Sequence, residues 1–140
     1  MEIIHLLLLS LLLLQLLWAC YTDIRYRIIG NDLIVSMLFT AMAFSFSYRG
    51  SISLIFPLII LTIGFIIFIF GLIGGGDVKM ITVLACTLTP IQTYHFITYT
   101  AIMGGVVMII GLIISRSDIK ERGVPYGVAI ASGFSLSLFS

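Results

Sequence analysis

Ile73-Gly74-Gly75-Gly76-Asp77-Val78-Lys79-Met80 breaks an otherwise apolar chain, and its reading decides the rest. It follows the apolar run Ile52 to Ile73 and opens another at Val78. A carboxylate beside a membrane span is costly, so it is a functional hypothesis by default. Glycines before it let backbone approach closely and take up positive φ at low cost. Asp77 also opens a helix, where the dipole favours negative charge. A second carboxylate, Asp23, stands just after the first apolar run.

Working outward, composition sets the class. The chain has 140 residues, of which 61% are hydrophobic and 9% charged. An ordinary soluble domain is roughly a quarter charged. The expectation is an all-α polytopic membrane protein, a single integral domain over residues 1–140 in contact with membrane lipid. A net charge of +1 without a basic patch gives nucleic acid no purchase. Cys20 and Cys86 fall in apolar stretches and form no CxxC pair, so neither a zinc site nor a disulfide framework is indicated.

A spanning helix needs about 20 apolar residues. Ile3 to Cys20 fits one, and the polar segment Tyr21 to Asn31 follows. Leu33 to Tyr48 reads as a second, closed by a turn at Arg49-Gly50-Ser51. Ile52 to Ile73 is a third, with Pro57 near its start. Val78 to Thr89 begins a fourth, ended or kinked by Pro90. Gln92 to His95 reads as a boundary before a fifth, Phe96 to Ile114. Ser115 to Gly123 is the most charged loop, and Val124 to Phe139 is a short sixth. The fourth segment is short, so about six spans are expected, or five with a re-entrant element. With the N-terminus outside, inner loops carry Arg25, Arg27, Lys79, Arg116, Lys120 and Arg122, against Arg49 outside. The basic residues thus put Asp23 and Asp77 on one face, the cytoplasmic one. His5 and His95 fall toward the other face, so no metal site joins them to the acids. Leu17-Trp18-Ala19-Cys20 looks like a lipoprotein cleavage box, but no positive charge precedes it. Trp18 reads more simply as an interfacial anchor.

Two carboxylates that meet can share one proton, because like charges a few Å apart do not both ionise easily. The ionised member then activates water against a peptide carbonyl, and the protonated member polarises that carbonyl. This points to aspartic proteolysis at a membrane face, with no metal and no cofactor.

Gly74-Gly75-Gly76-Asp77 with Val78-Lys79-Met80 is similar to the GxGD motif of the type IV prepilin peptidases. Asp23-Ile24-Arg25-Tyr26-Arg27-Ile28-Ile29-Gly30-Asn31 resembles that family's first aspartate motif, with Gly30 where proline is usual. Val124-Pro125-Tyr126-Gly127 resembles its C-terminal proline motif. The resemblance implies Asp23 and Asp77 as the catalytic pair. Gly74, Gly76, Lys79, Asn31, Pro125 and Tyr126 would support them, with Tyr126 lining the cleft. It implies cleavage of short basic leaders from prepilins or pseudopilins at the cytoplasmic face of the bacterial inner membrane. The cut falls after a glycine that precedes an apolar helix. The short chain resembles the small forms serving Flp-type (tight adherence) pili. Larger relatives carry an insertion with two CxxC pairs, so neither a zinc-binding nor a methyltransferase domain is expected here.

Other readings stand beside this one. Asp77 alone would serve as a helix cap, Asp23 as a charge balanced by Arg25 or Arg27, and Asp32 as the N-cap of the second span. Arg25, Arg27 and Lys79 satisfy the positive-inside rule without further role. A proton- or cation-coupled transporter or channel subunit would place acids along a path through the bilayer. A preflagellin or other GxGD peptidase would share the dyad.

Overall fold

Long runs of leucine, isoleucine and phenylalanine, with few internal helix breakers, make this chain helical. The computed structural model describes residues 2–50, 54–117, 120 and 126–138. Six helices lie among them: α1 (Glu2–Tyr26), α2 (Asn31–Arg49), α3 (Ile55–Ile69), α4 (Gly75–Ala85), α5 (Pro90–Ile114) and α6 (Tyr126–Ser137). The fold is all-α. α1 and α5 are long and apolar enough to cross a membrane, and α3 and α6 are shorter apolar helices.

Several boundaries differ from the sequence expectation, each for a local reason. α1 does not end at Cys20 but runs on to Tyr26, so Asp23 sits on a helix rather than in a loop. Nothing from Tyr21 to Tyr26 breaks a helix. The stop comes at Arg27, which has φ 54. Its guanidinium Nη1 donates to the last carbonyls, Asp23 O at 3.0 Å and Ile24 O at 2.6 Å, as a cation at a helix C-terminus should. At α2 the N-cap is Gly30, not Asp32, which lies in the first turn. Asn31 is the first helical residue rather than part of the loop. Arg49 closes α2, and Gly50, with φ 73, takes the left-handed cap.

α3 ends at Ile69 instead of Ile73, turned by Gly71 at φ 76. Pro90 neither kinks nor ends the fourth segment. α4 has already stopped at Ala85, and Pro90 starts α5. Proline suits that position because its missing N–H would be unpaired there anyway. Thr89 and Gln92 complete a reciprocal capping box, so Gln92 to His95 is helical and not a boundary.

α4 is the core of the molecule. It packs on α2, α3 and α6, while α6 also packs on α1 and α5. Met80 and Leu84 of α4 are fully buried with Met37, Phe96, Ile130 and Phe134. Gly133 brings α6 against α5 so closely that a Cβ there would collide with Thr100. Outer faces of α1, α3 and α5 remain apolar: Leu7, Leu14, Phe65, Ile69, Ile109 and Ile113 are all exposed. An apolar exterior around an apolar core is what a bilayer selects.

The contacts sort the helix termini into two ends. One gathers the end of α1 and the starts of α2, α4 and α6. The other gathers the start of α1, the end of α2, the end of α4 and the start of α5. There His5 Nε2 is 2.9 Å from Ser47 O and its ring meets Tyr48 edge-on.

Candidate active site

The two carboxylates lie at the first of these ends. Asp23 occupies the last turns of α1 and is only 6% exposed. Its Oδ2 accepts a hydrogen bond of 2.6 Å from the backbone N–H of Gly127, in the first turn of α6. That approach requires glycine. A Cβ at position 127 would lie 2.8 Å from Asp23 Oδ2 and 3.2 Å from its Cβ and Cγ. One turn earlier on α1, the Cys20 thiol donates to the Gly127 carbonyl at 3.7 Å. α1 therefore engages both the N–H and the carbonyl of Gly127, in two successive peptide units of α6.

Asp77 lies in the first turn of α4, after the N-cap Gly74. Gly74 has φ −76, and Gly74, Gly75 and Gly76 are not among the positive-φ glycines. The glycine run works by close approach instead. A Cβ on Gly74 would press on Asp77 Oδ2 at 3.3 Å, and Gly76 faces Ile29. The Asp77 carboxyl is pushed up to about 6, first by burial and then by the charge of Asp23. Asp23 and Asp77 are thus brought within electrostatic reach of each other. Each is anchored on a helix rather than on a loop.

Tyr126 opens α6, and its hydroxyl and ring fill the space a Cβ on Gly104 of α5 would take, 2.7–2.9 Å away. The charge of Asp77 is felt at Tyr126. Gly104 therefore makes a close contact, whereas its neighbour Gly105 faces open space. Lys79 is turned to Asn31, with Nζ donating to Oδ1 at 2.9 Å. That bond joins the first turns of α4 and α2 on the exposed side of the site. Pro125 lies outside the described residues.

Gly127 and Arg27 take roles the sequence did not give them, Gly127 as a donor to Asp23 and Arg27 as the cap of α1. Gly127 carried one signal, its place directly after Tyr126 in the third motif. Arg27 carried none beyond charge. Among the described residues, no three His, Cys, Asp or Glu side chains group as metal ligands would. A buried acid held by a backbone N–H beside a partly buried one that retains a proton to about pH 6 is suited to activating water and polarising a carbonyl.

Residues 10–109, more than two thirds of the chain, match the type IV leader peptidase family. The chain belongs to that family. It is an aspartic prepilin leader peptidase with membrane helices, and its family implies prepilin substrates. The matched stretch contains Asp23, Asn31, Asp77 and Lys79 and ends before α6. Comparison with curated proteins and with solved structures finds no match.

Proposed function

We propose that Asp23 and Asp77 are the catalytic pair of this peptidase and that it removes the leader of Flp-type prepilins at the cytoplasmic membrane face. The observation that carries the reading is the approach of the two acids, with Asp23 buried at the end of α1 and Asp77 in the first turn of α4 within reach of its charge. They come from α1 and α4, far apart in sequence, and the charge of one raises the proton affinity of the other. A helix cap or a solvated surface charge has no need of such a neighbour.

The arrangement also supports a division of labour. Burial opposes ionisation of Asp23, and the N–H of Gly127 and the charge of Arg27, which Asp77 lacks, offset part of that cost. Asp77 has burial and a charged neighbour, which hold a proton on it. Asp23 then takes the proton of the attacking water. Asp77 polarises the scissile carbonyl, and the proton passes to the departing amine.

The Flp-type assignment rests on the short chain and the motif resemblance. The cytoplasmic orientation rests on charge: Arg25, Arg27 and Lys79 gather at the aspartate end, and Arg49 lies at the other. The six-segment layout is supported by apolar α1, α3, α5 and α6, with α2 between. α4 is the exception in length. Its 11 residues rise only about 16 Å, roughly half the hydrocarbon thickness. It reaches part-way through, and the segment 86–89 completes the passage inside the bundle.

Co-expression with a Flp-type precursor, followed by N-terminal sequencing of the product, tests the reading. The expected product begins just after the leader glycine, and Asp23→Ala leaves the precursor intact. A precursor processed at a near-normal rate by Asp23→Ala refutes the pairing.

A further inference from the structure

Below Asp77, α3, α4 and α5 enclose a hollow of about 290 Å³. Ile63, Gly64 and Ile67 of α3 line it, with Val78 and Ile81 of α4 and Ile97 of α5. Every lining residue is aliphatic or glycine. The volume is about twice the ~150 Å³ that accommodates a benzene-sized guest, so it takes two or three aliphatic side chains. Ile63, Ile67 and Ile97 are exposed, so the hollow opens sideways between α3 and α5. Its depth is set by Gly64, where a Cβ would lie 2.7 Å from Val78 Cγ1.

We propose that this hollow seats the apolar segment of the substrate that follows the scissile bond, which enters between α3 and α5 and reaches Asp77 along α4. The inference rests on the reading of Asp77 as catalytic. Continuity with that carboxylate favours the substrate over a lipid tail as the occupant. Val78 is the next residue after Asp77. Ile81 lies one turn along α4 on the side that Asp77 faces. Ile73, just before the glycines, closes the upper edge. The turn that carries Asp77 thus borders the hollow on both sides, through Ile73 and Val78.

Shape has to do the selecting. Inside a bilayer, burying apolar surface gains nothing over lipid, so helix recognition depends on close packing against small residues. Gly64 supplies such a recess. The outer faces of α1 and α2 carry large exposed side chains such as Leu7 and Phe39.

Site-specific photo-crosslinking tests this with the full chain in membranes. A benzophenone amino acid replaces Ile63 or Ile97, with Leu7 and Phe39 as control positions, in an Asp77→Asn background that retains precursor. The probe is a prepilin that the unaltered enzyme cleaves. The expected result is prepilin adducts from Ile63 and Ile97 about tenfold above those from the controls. Equal adducts from all four positions, or only lipid adducts from the hollow, overturn the proposal. As a second measure, Ile97→Trp fills the opening and is expected to raise KM about tenfold with kcat little changed. An unchanged KM also overturns it. Cleavage by the unaltered enzyme without adducts in the hollow refutes the docking site alone. Failure of the unaltered enzyme to cleave any prepilin refutes the catalytic reading and the docking site with it.

Discussion

The two ends of α4 meet charge in opposite ways. At its start, Asp77 lies where the helix dipole welcomes an anion, yet burial and the nearby Asp23 oppose its ionisation. At its finish, Arg49 of α2 reaches in with one nitrogen on Cys86 O at 2.8 Å and Ser45 Oγ at 2.7 Å, and another on Leu88 O at 3.2 Å. That end pairs a cation with the carbonyls of Cys86 and Leu88, in the segment just after the helix. One end is electrostatically opposed and the other is matched. The difference locates chemistry at the first and structural support at the second, since proteins tolerate local conflict where function needs it.

The sharpest way to break this comparison is to neutralise one acid. Asp77→Asn keeps the shape of the protonated side chain but cannot exchange the proton, so leader cleavage is expected to fall by at least about a thousandfold. The same change is expected to raise the thermal midpoint at pH 8, because it removes a charge the fold disfavours. The sign follows from the shift. The folded pKa of about 6 lies above the ordinary 3.8, so folding favours the protonated form. The stabilisation is complete below about 3.8 and is lost as pH rises through about 6. Thermal unfolding in detergent alongside a cleavage assay reads both effects. A variant that loses activity and stability together would contradict the opposed-charge account.

Acidity itself gives the next effect. With Asp77 as the proton-bearing partner, kcat/KM of the free enzyme is expected to hold up to about pH 6 and then fall about tenfold per unit. A flat profile between pH 6 and 8 would remove Asp77 from that role.

A smaller effect is expected at Gly127. Alanine there presses on Asp23 Oδ2 and displaces the backbone N–H that holds it. Turnover should drop about tenfold or more, with KM less affected. A variant with unchanged turnover would show that this bond does not position Asp23.

How much of this was legible beforehand depends on where each residue's partner lies. Asp77 stood out because a charge after an apolar run is costly, and Asp23 because it stood at the end of another such run. The shape of α1's end was hidden: Tyr21 to Tyr26 is polar enough to look like a loop but contains nothing that stops a helix. Pro90 was ambiguous because proline both ends and begins helices, and the deciding pair, Thr89 and Gln92, flanks it within three residues. Gly127 reads as an ordinary helix start until Asp23, from the far end of the chain, arrives against it. Arg49 looked like a loop charge for a similar reason. Its partners are mainly backbone carbonyls of the segment between α4 and α5, which leave no mark on side-chain patterns.

Arg49 therefore supplies the mildest test for turnover and the most discriminating one for the comparison. α2 rises about 28 Å and α4 about 16 Å from the shared aspartate end. α4 consequently stops short of the far end of α2, and the buried segment after it, with Cys86 and Leu88, meets Arg49 there. Arg49→Ala leaves Cys86 O and Leu88 O without this donor. Hydrogen bonds from charged groups are worth roughly 1.5–3 kcal/mol each, and Arg49 Nε is itself buried without a partner among the described residues, so the net loss falls short of the sum of the three bonds. A loss of about 2–3 kcal/mol is expected, read as a lower thermal midpoint and less protein in the membrane. Lysine is expected to rescue only part, because one ammonium does not reproduce the fork that spans two carbonyls and a hydroxyl. Cleavage per folded molecule should stay within about twofold of the parent, since the aspartates sit at the opposite end. A large fall in kcat at unchanged stability would mean that the far end takes part in the chemistry, and the separation between the two ends of α4 would no longer hold.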